Sequence, residues 1–277
     1  MRSISTAAAA LIGTATLAAA NPAVVQERDF HKLPDQASGS LSKRDVLTPL
    51  PGRASELENK YQPYTDFDKD GCYYTAAVGA DGKKNGGLNA GQGVPPNCLR
   101  AQCRDNNRLE NNNLYSRSRC NNGWCAIMYE YYFEKDQIVC GIYGVAAHKH
   151  DWENVVVFVK DGNVKRVAPS CHGKYDKATN SPPLKDGRPK VVYHKDGGST
   201  HCWRIANDKD DAIENYTGEW FLGQLVGWDN WPNVGLRNTA MEDFGGPRAK
   251  LRDEAFADNL KKAMDGSITG FDPNVDQ

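Results

Sequence analysis

The stretch from Ala146 to Gly162, AAHKHDWENVVVFVKDG, places two histidines, two carboxylates and a tryptophan at positions 148 to 153 and then turns abruptly apolar. The apolar half reads as a strand. Val155, Val156, Val157, Phe158 and Val159 are β-branched or aromatic, and Asp161-Gly162 is the dipeptide that closes a tight hairpin. Similar short runs recur at 73 to 78 (YYTAAV), 125 to 133 (CAIMYEYYF), 164 to 170 (VKRVAPS), 190 to 195 (KVVYHK) and 201 to 206 (HCWRIA), separated by Gly, Asn, Asp and Pro. The fold class is therefore mainly β with some helix. The clearest helix is LRDEAFADNLKKAM at 251 to 264, which puts Phe256, Leu260, Ala263 and Met264 on one face. A weaker helical pattern lies at 97 to 106, NCLRAQCRDN, and the Gly- and Asn-rich stretch 79 to 97 reads as a surface loop.

The N-terminus carries Arg2, an Ala- and Leu-rich run and small residues near Ala20, the pattern of a cleaved secretory signal over residues 1–20. The run is shorter than the ~20 apolar residues a spanning helix needs. With a mean hydropathy of -0.66, the rest of the chain offers nothing closer. Residues 21–44 lack periodicity and end in Lys43-Arg44, so they read as a propeptide, leaving one domain at 45–277. Without residues 1–44 the chain keeps 29 basic residues of 34 and 32 acidic ones of 35, a net charge of -3. That balance argues against nucleic acid as a partner. All eight cysteines, at 72, 98, 103, 120, 125, 140, 171 and 202, lie beyond the dibasic pair, where an oxidising compartment would join them as disulfides of unspecified pairing. The sequon Asn215-Tyr216-Thr217 is a candidate glycosylation site that fits the same route.

His148, His150, Asp151 and Glu153 raise the question of a metal. Side chains alternate along a strand, so His148 and His150 would share one face and Asp151 and Glu153 the other. His148, Asp151 and Glu153 can meet one ion only if the backbone bends, and Asp136 of FEKDQ could fold back to join them. One imidazole with three carboxylates favours a hard cation, Mg²⁺ or Ca²⁺, while two imidazoles would favour zinc. The alternative is that His150 and Trp152 pack inward and the acids are merely solvated.

AIMYEYYFEKDQ at 126 to 137 together with AHKHDWE at 147 to 153 resembles the signature of the necrosis- and ethylene-inducing-peptide-like proteins, whose heptapeptide reads GHRHDWE. The likeness extends through YSRSRCNNGWCAIMY, VAPSCHGKY, KVVYHKDGGSTHCWRIA and LVGWDNWPNVGLRNTAMEDFGG, most of residues 45–277. These are secreted cytolysins that act on plant plasma membranes. The resemblance implies a single-domain β-sandwich flanked by helices, similar to actinoporins and fungal lectins. It implies a divalent cation, Mg or Ca, held by Asp136, His148, Asp151 and Glu153, with His172 of SCHG and His150 near the ion or head group. It also implies a partner, plant glycosylinositol phosphorylceramide at the outer surface of the plasma membrane, bound by a monomer. Three positions depart from the pattern: Ala147 replaces Gly, Lys149 replaces Arg, and Glu134 stands where many members have Pro. No ligand position is lost.

Asp66, Asp68, Asp70 and Gly71 follow the spacing that opens an EF-hand loop, although its twelfth position is Ala77 rather than Glu. The three aspartates are candidates for a second, structural calcium site, as the cysteine-rich subgroup of the resembled family implies. The function expected is a secreted, metal-dependent effector that binds sphingolipid head groups and damages the membrane, not an enzyme. Two alternatives remain. One is a non-lytic carbohydrate-binding effector using Trp228 and Trp231; the other is a metal-dependent polysaccharide hydrolase or lyase, against which stands the lack of a second acid/base set or nucleophile motif.

Overall fold

The computed structural model describes residues 46–90, 102–138 and 147–277. The signal and propeptide segments lie outside the described residues, as do Cys98 and Cys140. Helix α1 spans Glu56–Tyr61 and strand β1 Tyr64–Phe67; α2 is Asn106–Glu110, β2 Leu114–Asn121, β3 Trp124–Gln137 and β4 Ala147–Lys160. Then come β5 Asn163–Pro169, β6 Leu184–Lys185, β7 Arg188–Lys195, β8 His201–Ile205, a 3₁₀ turn Asp208–Asp211, β9 Leu225–Gly227, α3 Val234–Met241 and α4 Asp253–Met264.

Five strands form one sheet in the order β5-β4-β3-β2-β9, antiparallel except where β9 runs parallel to β2. A second sheet is built on β7, which pairs with β1, β6 and β8. The run Val155 to Val159 is apolar at every position because both faces of β4 are covered. Val155, Val157 and Val159 pack toward the second sheet with Phe67, Val191, Tyr193 and Trp203. Val156 and Phe158 pack the opposite way, with Ala240 and Met241 of α3 and Phe256, Leu260 and Ala263 of α4. The expected hairpin is present: Lys160 pairs with Asn163 around Asp161 and Gly162, at φ 51° and 72°. A β-sandwich with helices on its outer face is thus what the chain forms.

One expected strand is absent. Tyr73 to Val78 is buried, but its amides find mixed acceptors: Cys103 O for Tyr73, Tyr132 O for Thr75 and the Tyr115 hydroxyl for Ala77. Burial without a ladder explains why the residues looked strand-like. Conversely, β2 carries no apolar alternation because Arg117 and Arg119 sit in it. Their guanidinium groups lie over Phe256, and Arg117 also covers Trp228, so cations over rings fill the place of aliphatic packing.

Three disulfides are described: Cys72–Cys103, Cys120–Cys125 and Cys171–Cys202. The Cys120–Cys125 bridge crosses the β2–β3 hairpin, since those residues are cross-strand partners.

Glu134 accepts from Arg108 Nε at 2.9 Å, with both side chains almost fully enclosed at 7% and 2% exposed. Stranding one buried charge costs ~3–5 kcal/mol, whereas replacing the pair with apolar residues of similar volume is often neutral. Arg108→Leu should therefore destabilise by about that amount in urea denaturation, and Arg108→Leu with Glu134→Leu should recover most of it. A double variant no more stable than the single one would show that the charges stabilise the fold on balance.

Candidate metal centre

Strand β5 leaves β4 after the Val155–Pro169 pair, so Ala147 to Glu153 has only β3 as a ladder neighbour. Along that bared edge, Asp136, His148, Asp151, Glu153, Ser170 and His172 line a cavity of about 250 Å³. Register brings them there: Asp136 sits opposite His148, and Phe133 opposite Asp151. The turn Ser170 to Gly173 crosses the bared edge and is tied to it. Ser170 N donates to Asn154 O at 2.7 Å, and Asn154 N donates to Ser170 Oγ at 2.8 Å. The Cys171–Cys202 bridge fixes the turn to β8.

His150 supplies the departure from strand alternation. Its φ is 61°, a left-handed conformation that a non-glycine residue adopts at a cost of roughly 1–2 kcal/mol. Its ring is directed into the core, where Nδ1 meets the Tyr132 hydroxyl at 2.6 Å and the ring packs edge-on to Phe244. Two glycines make room. A Cβ on Gly87 would fall 2.5 Å from His150 Cε1, and one on Gly246 would fall 2.8 Å from the Lys149 and His150 carbonyl oxygens. Burial, with Lys149 and Lys84 nearby, lowers the His150 pKa to about 4. His150 is therefore a neutral core residue, and the expectation that it stands near the ion is corrected.

The other side chains have ligand character. His148 Nδ1 lies 2.8 Å from the His150 carbonyl, which can only accept, so Nδ1 is the donor and, in the neutral ring, Nε2 is the nitrogen that keeps its lone pair. Asp151 Oδ2 is buried and makes no hydrogen bond of normal geometry, although the Tyr193 hydroxyl, likewise unpaired, lies near enough to act on the carboxyl. Glu153 accepts a short hydrogen bond from Ser170 Oγ. Burial pushes the Asp151 and Glu153 carboxyls well above the usual range; the charge of Asp136 adds to the effect on Asp151, and that of Asp151 to the effect on Glu153. His172 stands at the cavity rim, 3.4 Å from Asp196 through Nε2.

Asp136 is committed differently. Its two oxygens accept from His201 N and from His201 Nδ1, each at 2.8 Å. Burial works against a charged His201, but the hydrogen bonds and charges of Asp136 and Asp70 outweigh it and raise its pKa to about 9. The imidazolium neutralises one of the three buried carboxylates. Sequence reasoning read His201 only as part of a strand; the signal available was an unbalanced set of acids.

The residues fit a hard cation in their chemistry: Asp151 with an orphaned oxygen, Glu153, and His148 with a free nitrogen. They do not form a tight cage. Among the described residues, the group of three or more His, Cys, Asp or Glu with donor atoms all within 4.8 Å is Cys171, His172, Asp196 and Cys202. Two of these are joined in a disulfide and offer no thiolate, which leaves His172 and Asp196.

The acidic loop behaves otherwise than its spacing predicts. Asp66 is buried and accepts from Glu214 N, Asn215 N and Asn215 Nδ2; Asp68 faces Arg204 at 3.4 Å; Asp70 faces His201 at 3.5 Å. The three carboxylates point to separate protein partners, so the structure does not gather them around one position as the expected second calcium site requires. The sequon is likewise not a free surface amide. Asn215 is 5% exposed, and its Nδ2 donates to Asp66 and to Glu219 O, so a glycan there would displace one of these bonds. Trp231 stacks on Tyr115 with centroids 5.0 Å apart, and Trp228 lies between Arg117 and Arg237, so neither offers an open platform.

The family described as Necrosis inducing protein (NPP1) matches residues 55–263, and the chain belongs to it. The necrosis-inducing protein NPP1 of Phytophthora nicotianae is 30% identical over 211 residues, covering 74% of this chain and 80% of the relative. Among solved structures, NLPPya in complex with mannosamine aligns with a TM-score of 0.64 at 27% identity, over 79% of this chain and 96% of that one. The non-toxic HaNLP3 protein aligns with a TM-score of 0.62 at 27% identity, over 78% and 96%. The chain is accordingly similar to necrosis-inducing effectors.

A pH test follows from the raised carboxyls. Asp151 and Glu153 have folded pKa values above those of the unfolded chain, so their contribution is full below about pH 4 and is lost as pH rises through the folded values. His201 acts in the same direction, losing its contribution between about pH 6.5 and its folded value of about 9. In chelator the melting temperature should fall as pH rises above about 5, and Asp151→Asn should flatten part of that slope. Equal slopes in both proteins would show that Asp151 does not titrate as described.

Proposed function

We propose that this protein is a secreted, metal-dependent effector that binds sugar head groups of plant plasma-membrane sphingolipids through the cavity at the bared edge of β4 and thereby damages the membrane. The observation that carries the reading is the buried, unpartnered Asp151 Oδ2 beside Glu153 and the free Nε2 of His148, all lining one open cavity. A divalent ion, Mg²⁺ or Ca²⁺, held by His148, Asp151 and Glu153 with Asp136 at its flank, would satisfy those atoms and could accept a sugar oxygen. His148 and Glu153 would be pre-oriented for it by His150 O and Ser170 Oγ. The amino-sugar complex of a relative in this family supports a carbohydrate as the ligand.

Head-group recognition must come first in this reading, because among the described residues no helix is long and apolar enough to cross a membrane. Glycosylinositol phosphorylceramide is the target proposed, and binding rather than bond cleavage is the activity. The described disulfides fit an extracellular protein. A second reading, a non-lytic carbohydrate-binding effector, is favoured by one finding: a non-toxic relative has the same fold.

Leakage of vesicles carrying the glycosylinositol lipid separates the two readings. Wild type with Mg²⁺ or Ca²⁺ should release dye, and chelator or Asp151→Ala should abolish release while circular dichroism stays unchanged. Binding without release would select the non-lytic reading. Folded Asp151→Ala lysing at the wild-type rate would overturn the role of the ion. Lys149 is exposed, so Lys149→Arg should leave leakage unchanged.

A further inference from the structure

Residues 247 to 253 have two sides. Pro247 and Lys250 line the acidic cavity. Arg248, Arg252 and Asp253 instead line a separate groove of about 270 Å³, together with Trp228, Arg237 and Glu242. Pro247 and Arg248 are consecutive, with Cα atoms ~3.8 Å apart, so one thin wall of chain serves both openings.

The groove carries more cationic charge than its own carboxylates balance. Its three carboxylates are each taken by a cation: Glu242 by Lys84 at 3.2 Å, Asp253 by Arg117 at 2.7 Å, and Glu254 by a short bond from Arg252. Arg248 reaches Glu254 only at 4.0 Å. Arg237 has its guanidinium 4.3 Å from the Trp228 ring and donates from Nη1 to the Trp228 carbonyl at 3.1 Å. The Nε atoms of Arg237 and Arg248 are both buried with no acceptor. Counting Lys84 and Arg117, five cations surround three carboxylates, and Arg237 and Arg248 are the two left over. A guanidinium does not shed its proton, so two guanidinium groups lining one groove without a close carboxylate of their own make that groove a candidate oxyanion site, and a guanidinium fork can meet phosphate oxygens two at a time.

We propose that the groove of Arg237 and Arg248 is a phosphate subsite, taking the phosphate of the same head group whose sugar enters the neighbouring cavity. This rests on the head-group reading above. It divides recognition in two: the cavity reads sugar oxygens, and the groove reads the charge that joins sugar to lipid.

The test uses the full mature chain with Mg²⁺, its fold checked by circular dichroism, and three variants: Arg237→Gln, Arg248→Gln and Asp151→Asn. Calorimetric titration with inorganic phosphate at constant ionic strength should show binding to wild type and to Asp151→Asn. Each arginine variant should weaken it about tenfold or more, the loss expected for a hydrogen bond between charged groups. Sedimentation with vesicles bearing a phosphoinositol glycosphingolipid should show the same loss for the arginine variants. Their binding to vesicles of a neutral glycosphingolipid should stay at the wild-type level, and Asp151→Asn should lose both lipids. If phosphate does not bind wild type, or binds the arginine variants equally, the subsite is overturned whatever the vesicles show. Phosphate binding without preference for the phosphorylated lipid would make the groove a site for free phosphate and overturn the head-group assignment. Failure of wild type to bind either lipid would instead count against the cavity reading, with the phosphate titration still judging the groove.

Discussion

The antiparallel pairing of β3 with β4, from Trp124–Lys160 to Gln137–Ala147, is the constraint on which the remainder of the molecule depends. At one end it builds both cores, because Val155 to Val159 alternate between the second sheet and the helices. At the other end the same ladder carries Asp136, His148, Asp151 and Glu153. A site assembled on two long paired strands is held by the rigidity of the core itself, which serves precision better than a loop would. The early departure of β5 opens that end to solvent. Ser170 is the last residue of that side to bond β4, through Asn154, and beyond it the edge from Glu153 back to Ala147 is left to the cavity.

Electrostatics then limit what the open end can hold. Three carboxylates in one buried place repel, and the protein relieves this in part with His201, whose charge is stabilised by Asp136 and Asp70. Phe133, Tyr193 and His201 stack in series and lock the imidazole under Asp136. Asp70 therefore contributes at a distance: from the loop whose spacing suggested calcium, it supports the cation that supports Asp136. The acids of that loop are explained by protein partners, and the acids of the cavity are not. Asp151 and Glu153 remain the uncompensated pair.

Much of this was legible in the sequence because strands with two buried faces leave a dense apolar record, as in NVVVFV and AIMYEYYF. The amphipathic stripe of α4 and the Asp161-Gly162 turn were equally plain. What escaped was structure whose stabilisation is not aliphatic. Strand β2 packs through Arg117 and Arg119, and α1 is marked by its cap, with Ser55 and Glu58 bonding reciprocally. Strand-like letters also misled at Tyr73 to Val78, where tyrosines are buried by packing and not by pairing. Of the candidate site, the cavity-lining Asp136, His148, Asp151 and Glu153 could be read from one heptapeptide and one Lys-Asp pair. The partner of Asp136 could not, because His201 is 65 residues away and its role depends on β8 meeting the end of β3.

The two histidines of the heptapeptide illustrate how a short motif can serve two ends at once. Strand alternation alone would have put both on one face, and only a bend could separate them. The left-handed turn at His150 lets them separate: its ring fills the core between Tyr132 and Phe244, while its carbonyl, turned back, accepts a hydrogen bond from His148 Nδ1–H, which in the neutral ring leaves Nε2 free. The conformational cost at His150 is thus coupled to the tautomer at His148. Gly246 permits the close approach of the backbone at this point, and the chain running on from it carries Pro247 and Lys250 to the cavity and Arg248 to the groove. The conformation of one core histidine is therefore tied both to the nitrogen that His148 turns away from the backbone and, through Gly246, to the place where the cavity-walling segment meets β4.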